Sequence, residues 1–319
     1  MMQRILMTGA TGFVGSRLLE LLACRTAYEC VAVIRGDGAH PSFLKKSIQI
    51  DDLACKRDWQ DQLADVDVVI HCAARVHIML DSEKDPLSCY RDVNVTGTMT
   101  LAKAAVANGV RRFVFISTVK VNGEGTIPGY PFSSTDQVDP DDPYARSKLE
   151  AEQALLKLAH ETGMEVTIIR PPLVYGPGVK ANFRSMLNWV KKGLPLPLGA
   201  VNNLRSLVYI DNLCDLIITC IDHPKAKNEI FLVSDGEDLS ISALLRKIAK
   251  AQGVSSRLIS IPPSLLVLLS KLFGKQAQAQ RLLGSLQVDM QKTKELLGWA
   301  PLVSLDEGIK RTVEAADKG

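Results

Sequence analysis

Six short runs, Arg4 to Thr8, Cys30 to Ile34, Ser47 to Ile50, Asp67 to Cys72, Arg112 to Ser117 and Glu165 to Ile169, are rich in β-branched residues, and most lack polar alternation. That texture belongs to strands covered on both faces, and it restricts the fold more than any other feature of the chain. Helical stripes fill the gaps: Val14 to Cys24 sets Val14, Leu18, Leu21 and Leu22 on one side, and Leu87 to Asn108 and Pro143 to His160 repeat the pattern. Six strands with five crossovers predict an α/β fold built on a doubly wound parallel sheet.

Gly9-Ala10-Thr11-Gly12-Phe13-Val14-Gly15 lies directly between the first strand and the first helix. Glycines there let backbone approach a diphosphate, and the helix N-terminus supplies positive potential, so the segment predicts dinucleotide binding in a Rossmann domain. A carboxylate at the end of the second strand would accept hydrogen bonds from the adenosine ribose, whereas a cation tolerates a 2'-phosphate. Arg35 stands there and favours NADP(H), while Asp37 two residues on keeps NAD(H) open. After Pro171-Pro172 the chain turns to glycine- and proline-punctuated loops, yet Asn228 to Ser234 still reads as a strand that returns to the sheet. The expected division is a dinucleotide-binding domain at 1–172 plus about 206–234, with a smaller C-terminal α/β substrate-binding region at 173–205 and 235–319.

Composition narrows the function classes. The 319 residues carry 38 Lys and Arg against 35 Asp and Glu, a net charge of +3 that offers no basis for nucleic-acid binding. The seven cysteines contain no Cys-x-x-Cys, and the histidines lack zinc-ligand spacing, so neither disulfides nor a metal site is expected. The start of the chain has no signal-peptide pattern, which with the unpaired thiols predicts a cytoplasmic enzyme. Leu258 to Phe273, the most apolar stretch, is too short to span a bilayer and is interrupted by Pro262-Pro263; it reads as a buried helix, with peripheral membrane contact as the lesser alternative.

Tyr144 and Lys148 are four apart in a helical pattern and project from one face. A nearby ammonium favours the phenolate and is expected to lower the tyrosine pKa from about 10, suiting Tyr144 to proton exchange with an alcohol. Ser117-Thr118 closes the fifth strand, at the carboxyl edge where open α/β sheets bind ligands, and offers a hydroxyl to the reacting oxygen.

With these pieces the chain resembles an extended short-chain dehydrogenase/reductase of the NAD-dependent epimerase/dehydratase family, over nearly its whole length. The resemblance rests on Gly9, Gly12 and Gly15, Asp52-Leu53, His71-Cys72-Ala73-Ala74, Asn94-Val95-Thr96-Gly97-Thr98, and Tyr144 with Lys148. It implies Thr118 as the catalytic hydroxyl, Tyr144 as acid/base and Lys148 on the nicotinamide ribose. It further implies a dinucleotide held by Gly9, Thr11, Gly12, Phe13, Val14, Gly15, Arg35, Asp52, Leu53, Ala73, Ala74, Lys148, Pro171 and Leu173, and a nucleotide sugar met by Thr118, Lys120, Tyr144, Asn182, Arg205 and Arg281. A homodimer through Leu87 to Asn108 and Pro143 to His160 is also implied.

Some positions depart from the UDP-galactose 4-epimerase pattern: Leu173 for asparagine, Asn122 for tyrosine, Tyr209 for histidine and Arg35 for aspartate. Lys120 either faces the substrate or points to solvent, and His77 reads as a packing or solvated residue. With Val119-Lys120-Val121-Asn122-Gly123-Glu124, the pattern looks more like bacterial reductases of UDP-4-keto-6-deoxy-N-acetylhexosamines in polysaccharide synthesis. The expected substrate is thus a UDP-4-keto sugar, with a UDP-hexose 4-epimerase as the alternative and a non-catalytic NAD(P) sensor as the remote one. A 4,6-dehydratase is disfavoured, because Thr118-Val119-Lys120 lacks the acidic pair usual there.

Overall fold

The computed structural model describes residues 2–36, 46–54, 58–76, 85–274 and 276–318; Asp37, Cys55 and His77 lie outside them. The main sheet has seven parallel strands: β1 (Gln3–Thr8), β2 (Tyr28–Arg35), β3 (Lys46–Ile50), β4 (Val68–His71), β5 (Arg112–Ile116), β6 (Glu165–Arg170) and, after two short strands described below, β9 (Glu229–Leu232). Their order is β3-β2-β1-β4-β5-β6-β9, so the direction of winding reverses between β1 and β4. Loops diverge at such a switch point and leave a crevice at the carboxyl ends of the strands. The expected α/β, doubly wound Rossmann sheet is therefore present, and the strand anticipated near Asn228 does return to it beside β6.

Two apolar layers sandwich the sheet. One packs Leu6, Val69, Phe113, Phe115 and Ile168 against helices α4 (Thr98–Ala107) and α5 (Pro143–Thr162), following α1 (Phe13–Ala23), α2 (Gln60–Leu63) and α3 (Pro86–Arg91) along the chain. The other joins Ile5, Met7, Ile70 and Val114 to α1 and, beyond α6 (Ala181–Lys191), to α7 (Ile210–Asp222). In the central strands β1, β4, β5 and β6 residues on both sides are largely buried, which is why they show no polar alternation, whereas edge strand β3 buries only Ile50.

A second, two-stranded parallel sheet pairs β7 (Leu173–Tyr175), where the sequence reads as loop, with β8 (Leu207–Tyr209), at the start of the segment expected to return to the dinucleotide-binding domain. Three residues are too few to display a period of two. Buried Asp235 holds this pair to α7, accepting from Tyr175 Oη at 2.7 Å, Tyr209 N at 2.8 Å and Asn212 Nδ2 at 2.8 Å. The C-terminal part adds α8 (Ile241–Ala251), α9 (Pro263–Leu272), α10 (Gln276–Leu283), α11 (Gln291–Leu297) and α12 (Leu305–Lys318). The expectation of a buried helix near Leu258 to Phe273 fails: no residue of α9 is buried. Apolarity alone does not distinguish a core helix from an uncovered one, because burial requires a partner surface.

Candidate active site

The turn after β1 is built by exclusion. Gly9 has φ +71°, and a Cβ there would lie 2.6 Å from Ala73 N; a Cβ on Gly15 would lie 2.0 Å from Gly9 O. Helix α1 therefore packs directly on the turn, with Gly12 as its N-cap and no side chain capping it. That leaves a bare, glycine-lined helix N-terminus at the switch point, with Thr11 exposed beside it, which fits the diphosphate of a dinucleotide. Arg35 is exposed at the end of β2.

Other expected cofactor residues follow β3 and β4, Asp52-Leu53 and Ala73-Ala74 respectively. Leu53 O sits 2.7 Å from where a Cβ on Gly97 would be, so the Asp52-Leu53 segment lies on the Asp92–Gly97 turn. Asp52 Oδ1 accepts from Ala54 N at 3.0 Å, which shapes its own loop. The single helix expected over Leu87 to Asn108 is instead α3, a π-helical segment Asp92–Gly97, and α4. The wide turn has a visible cause. Buried Asn94 leaves helical neighbours aside and clamps the loop after β4, accepting from Arg75 N at 2.8 Å and donating to Arg75 O at 3.1 Å and Ser147 Oγ at 3.0 Å. Asn94 thereby ties the Ala73-Ala74 loop to α5. Its place in a helix interior, where asparagine is unfavourable, is the sequence signal for this role.

Helix α5 begins with Asp142 as N-cap, accepting from Ala145 N at 2.9 Å, followed by Pro143. These fix the first turn, which carries Tyr144. Lys120 Nζ lies 3.5 Å from Asp142 Oδ2, so it is neither a free substrate cation nor wholly in solvent; it links the end of β5 to the start of α5. Thr118 caps the short 3-10 turn Val119–Val121, and its Oγ1 accepts from Lys120 N at 3.3 Å, leaving the hydroxyl proton for another acceptor. Val119 N donates to Pro171 O at 3.0 Å, which brings the segment after β6 alongside, with Leu173 exposed beyond it. Ser117 Oγ next to Thr118 is buried with no partner among the described residues.

Lys148, one turn after Tyr144, is buried with Nζ 3.9 Å from the Phe115 ring centroid. Burial lowers its pKa to about 7, against the raising effect of Glu152 and Cys72. The Tyr144 hydroxyl is held above its ordinary value by burial first, and then by the neighbouring Asp142 carboxylate and Tyr90 phenol. This corrects the expected lowering by Lys148: burial of the phenol, with Asp142 beside it, favours the neutral form. Tyr90 was overlooked in the sequence; its ring meets that of Tyr144 at 5.9 Å and 62°. Beneath the site, Arg170 and Glu152, both buried, pair at 2.5 Å, and Arg170 Nη1 donates to Asn122 Oδ1 at 3.0 Å. Asn122 is thus explained as a support for the β6 arginine.

The expected substrate residues behave unequally. Arg205 and Arg281 come together, but through Arg205 Nη1 donating to the Arg281 carbonyl at 2.7 Å and to Gly284 O at 2.9 Å, so the guanidinium is partly engaged within the chain. Arg281 itself is about half exposed. Asn182 lies exposed in the first turn of α6.

Known proteins place this architecture. The chain is 48% identical over 316 residues to a UDP-glucose 4-epimerase of Vibrio cholerae, covering 99% of this chain and 96% of that protein. It is 28% identical to the N-acetyl-alpha-D-glucosaminyl-diphospho-ditrans,octacis-undecaprenol 4-epimerase of Escherichia coli O157:H7, over 98% and 95% of the two chains. The structure of the Thermotoga maritima UDP-glucose 4-epimerase with UDP-glucose shares the fold at TM-score 0.80 and 24% identity, over 99% of both chains. Residues 5–234 match the NAD dependent epimerase/dehydratase family, and the chain belongs to that family of NAD-dependent enzymes.

Proposed function

We propose that the protein is a UDP-hexose 4-epimerase, acting on UDP-glucose or UDP-N-acetylglucosamine. The observation that carries this reading is the 48% identity to the Vibrio cholerae UDP-glucose 4-epimerase along 99% of the chain, and it reverses the order expected from sequence, where the 4-keto reductase stood first. Gly9, Gly12, Gly15 and the Ala73 loop would hold the dinucleotide, and Lys148 its nicotinamide ribose. Bound there, the nicotinamide would supply the reversible acceptance of hydride from sugar C4. Thr118, with its proton uncommitted, orients O4, and Tyr144 takes the O4 proton and returns it after the sugar has turned. A phenol held above its ordinary pKa retains its proton at neutral pH, so Tyr144 is poised for the return step. Its other role needs added positive charge nearby, which protonation of Lys148 provides. Asn182, Arg205 and Arg281 would face the UDP half, Lys120, tied to Asp142, would brace the start of α5 beside the sugar, and the subunits would pair through α3, α4 and α5.

Incubation of purified protein with UDP-glucose or UDP-N-acetylglucosamine, followed by proton NMR of the anomeric signals, is expected to show the 4-epimer without net consumption of added NAD(P)H. Failure with both sugars, together with NAD(P)H oxidation by a 4-keto UDP-sugar, would return the reductase to first place.

A further inference from the structure

We propose that α9 docks the enzyme on an anionic lipid surface, an interaction independent of the sugar chemistry. Within α9 no residue is buried, and Leu265, Val267, Leu268 and Leu272 are all exposed, with Phe273 just beyond at 74% exposure. Isolated exposed leucines are ordinary, but a contiguous helix that is apolar and uncovered marks a surface meant to be covered. No helix of the described residues is long and apolar enough to cross a membrane, so the geometry is one of lying on the surface rather than spanning it.

Charge identifies the occupant. From Leu239 through Val288, 50 residues, the sequence holds no Asp or Glu, while Arg246, Lys247, Lys250, Arg257, Lys271, Lys275 and Arg281 give seven cations. The whole chain carries only +3, so this stretch is basic out of proportion. Arg257 precedes α9, Lys271 stands in its last turn, and Arg281 lies on α10, which packs against α9. Lys247 is neutralised by Asp306 and Glu237, but Arg257 and Lys271 have no ion pair among the described residues. A second copy meeting α9 around a twofold axis would set this basic, acid-free stretch against itself, which like-charge repulsion disfavours. An anionic bilayer satisfies both halves of the pattern: phosphates for the cations and acyl chains for the leucines.

The test is co-sedimentation of the full-length protein with vesicles of phosphatidylcholine alone or mixed with phosphatidylglycerol. Binding is expected only with the anionic vesicles, weakening as salt is raised. Leu268→Glu with Leu272→Glu is expected to reduce the bound fraction at least ~10-fold, since two apolar anchors and the local positive charge are lost together. Because neither leucine is in the core, thermal stability should be unchanged; Arg257→Gln with Lys271→Gln, which leaves every apolar residue in place, should weaken binding in the same direction. Absence of binding to anionic vesicles at low salt overturns the proposal. So does an oligomer in light scattering that the Leu268→Glu, Leu272→Glu pair dissociates, because a second copy then covers the helix. UDP-hexose epimerisation in solution is read separately, so either result can fail without the other.

Discussion

At the scale of single residues, the site depends on how the phenol of Tyr144 holds its proton. Three features act on it directly: burial, the Asp142 N-cap and the Tyr90 ring, all of which favour the protonated form. Removing the hydroxyl removes the proton carrier but leaves the crevice intact. Tyr144→Phe is therefore expected to lower kcat by at least ~100-fold with little change in dinucleotide affinity, measured by initial epimerisation rates and by fluorescence titration with NAD. Near wild-type turnover would remove Tyr144 from the proposed chemistry. The pairing of Tyr144 and Lys148 was legible from spacing, because four residues always bring side chains to one helical face. The state of Lys148 was not legible, because its lowered pKa arises from β4, β5 and α5 closing over it.

Among the elements, α1 sits directly on the turn that follows β1. A Cβ at Gly15 meets the Gly9 carbonyl, and backbone cannot yield as a flexible side chain would. Gly15→Ala is expected to destabilise the fold by about 1–3 kcal/mol and to weaken dinucleotide binding, because α1 must move away from the turn. Urea unfolding and NAD titration of the variant check this; unchanged values in both would mean that helix and turn are not mechanically joined. The sequence showed a glycine turn but could not show which glycine serves the ligand and which serves packing. Similarly, the helical stripe from Leu87 to Asn108 was visible, whereas the π-helical break at Asp92–Gly97 depends on Asn94 reaching a loop 19 residues earlier in the chain.

Across the whole molecule, the buried histidine of β4 links stability to acidity. His71 accepts or donates hydrogen bonds with Thr8 Oγ1 at 2.7 Å and Thr98 Oγ1 at 2.9 Å, and lies stacked beside Phe115. Burial, with the Lys148 charge, lowers its pKa from 6.5 to about 3. Between those values the unfolded chain binds a proton that the native protein does not, so stability rises with pH through this window and falls as the solution is acidified. Midpoints of thermal unfolding measured from pH 7 down to pH 4 should show this slope, and it should be shallower in His71→Asn, which retains polar groups without the titration. An identical slope in both proteins would assign the acid sensitivity to other groups.

The alternation of strands and helices, the glycine turn, and the spacing of Tyr144 and Lys148 are local or periodic features, so the sequence alone determined them: a stripe, a turn or a spacing is written within a few residues of itself. What only the tertiary structure decided lies between distant segments. It tied Lys120 to Asp142, engaged Arg205 with the carbonyls of Arg281 and Gly284, and gathered β7 and β8 around Asp235. It also left α9 uncovered, although its leucines are as apolar as those of the core. Burial and pairing are properties of two surfaces meeting, and a chain read one residue after another contains only one of them at a time.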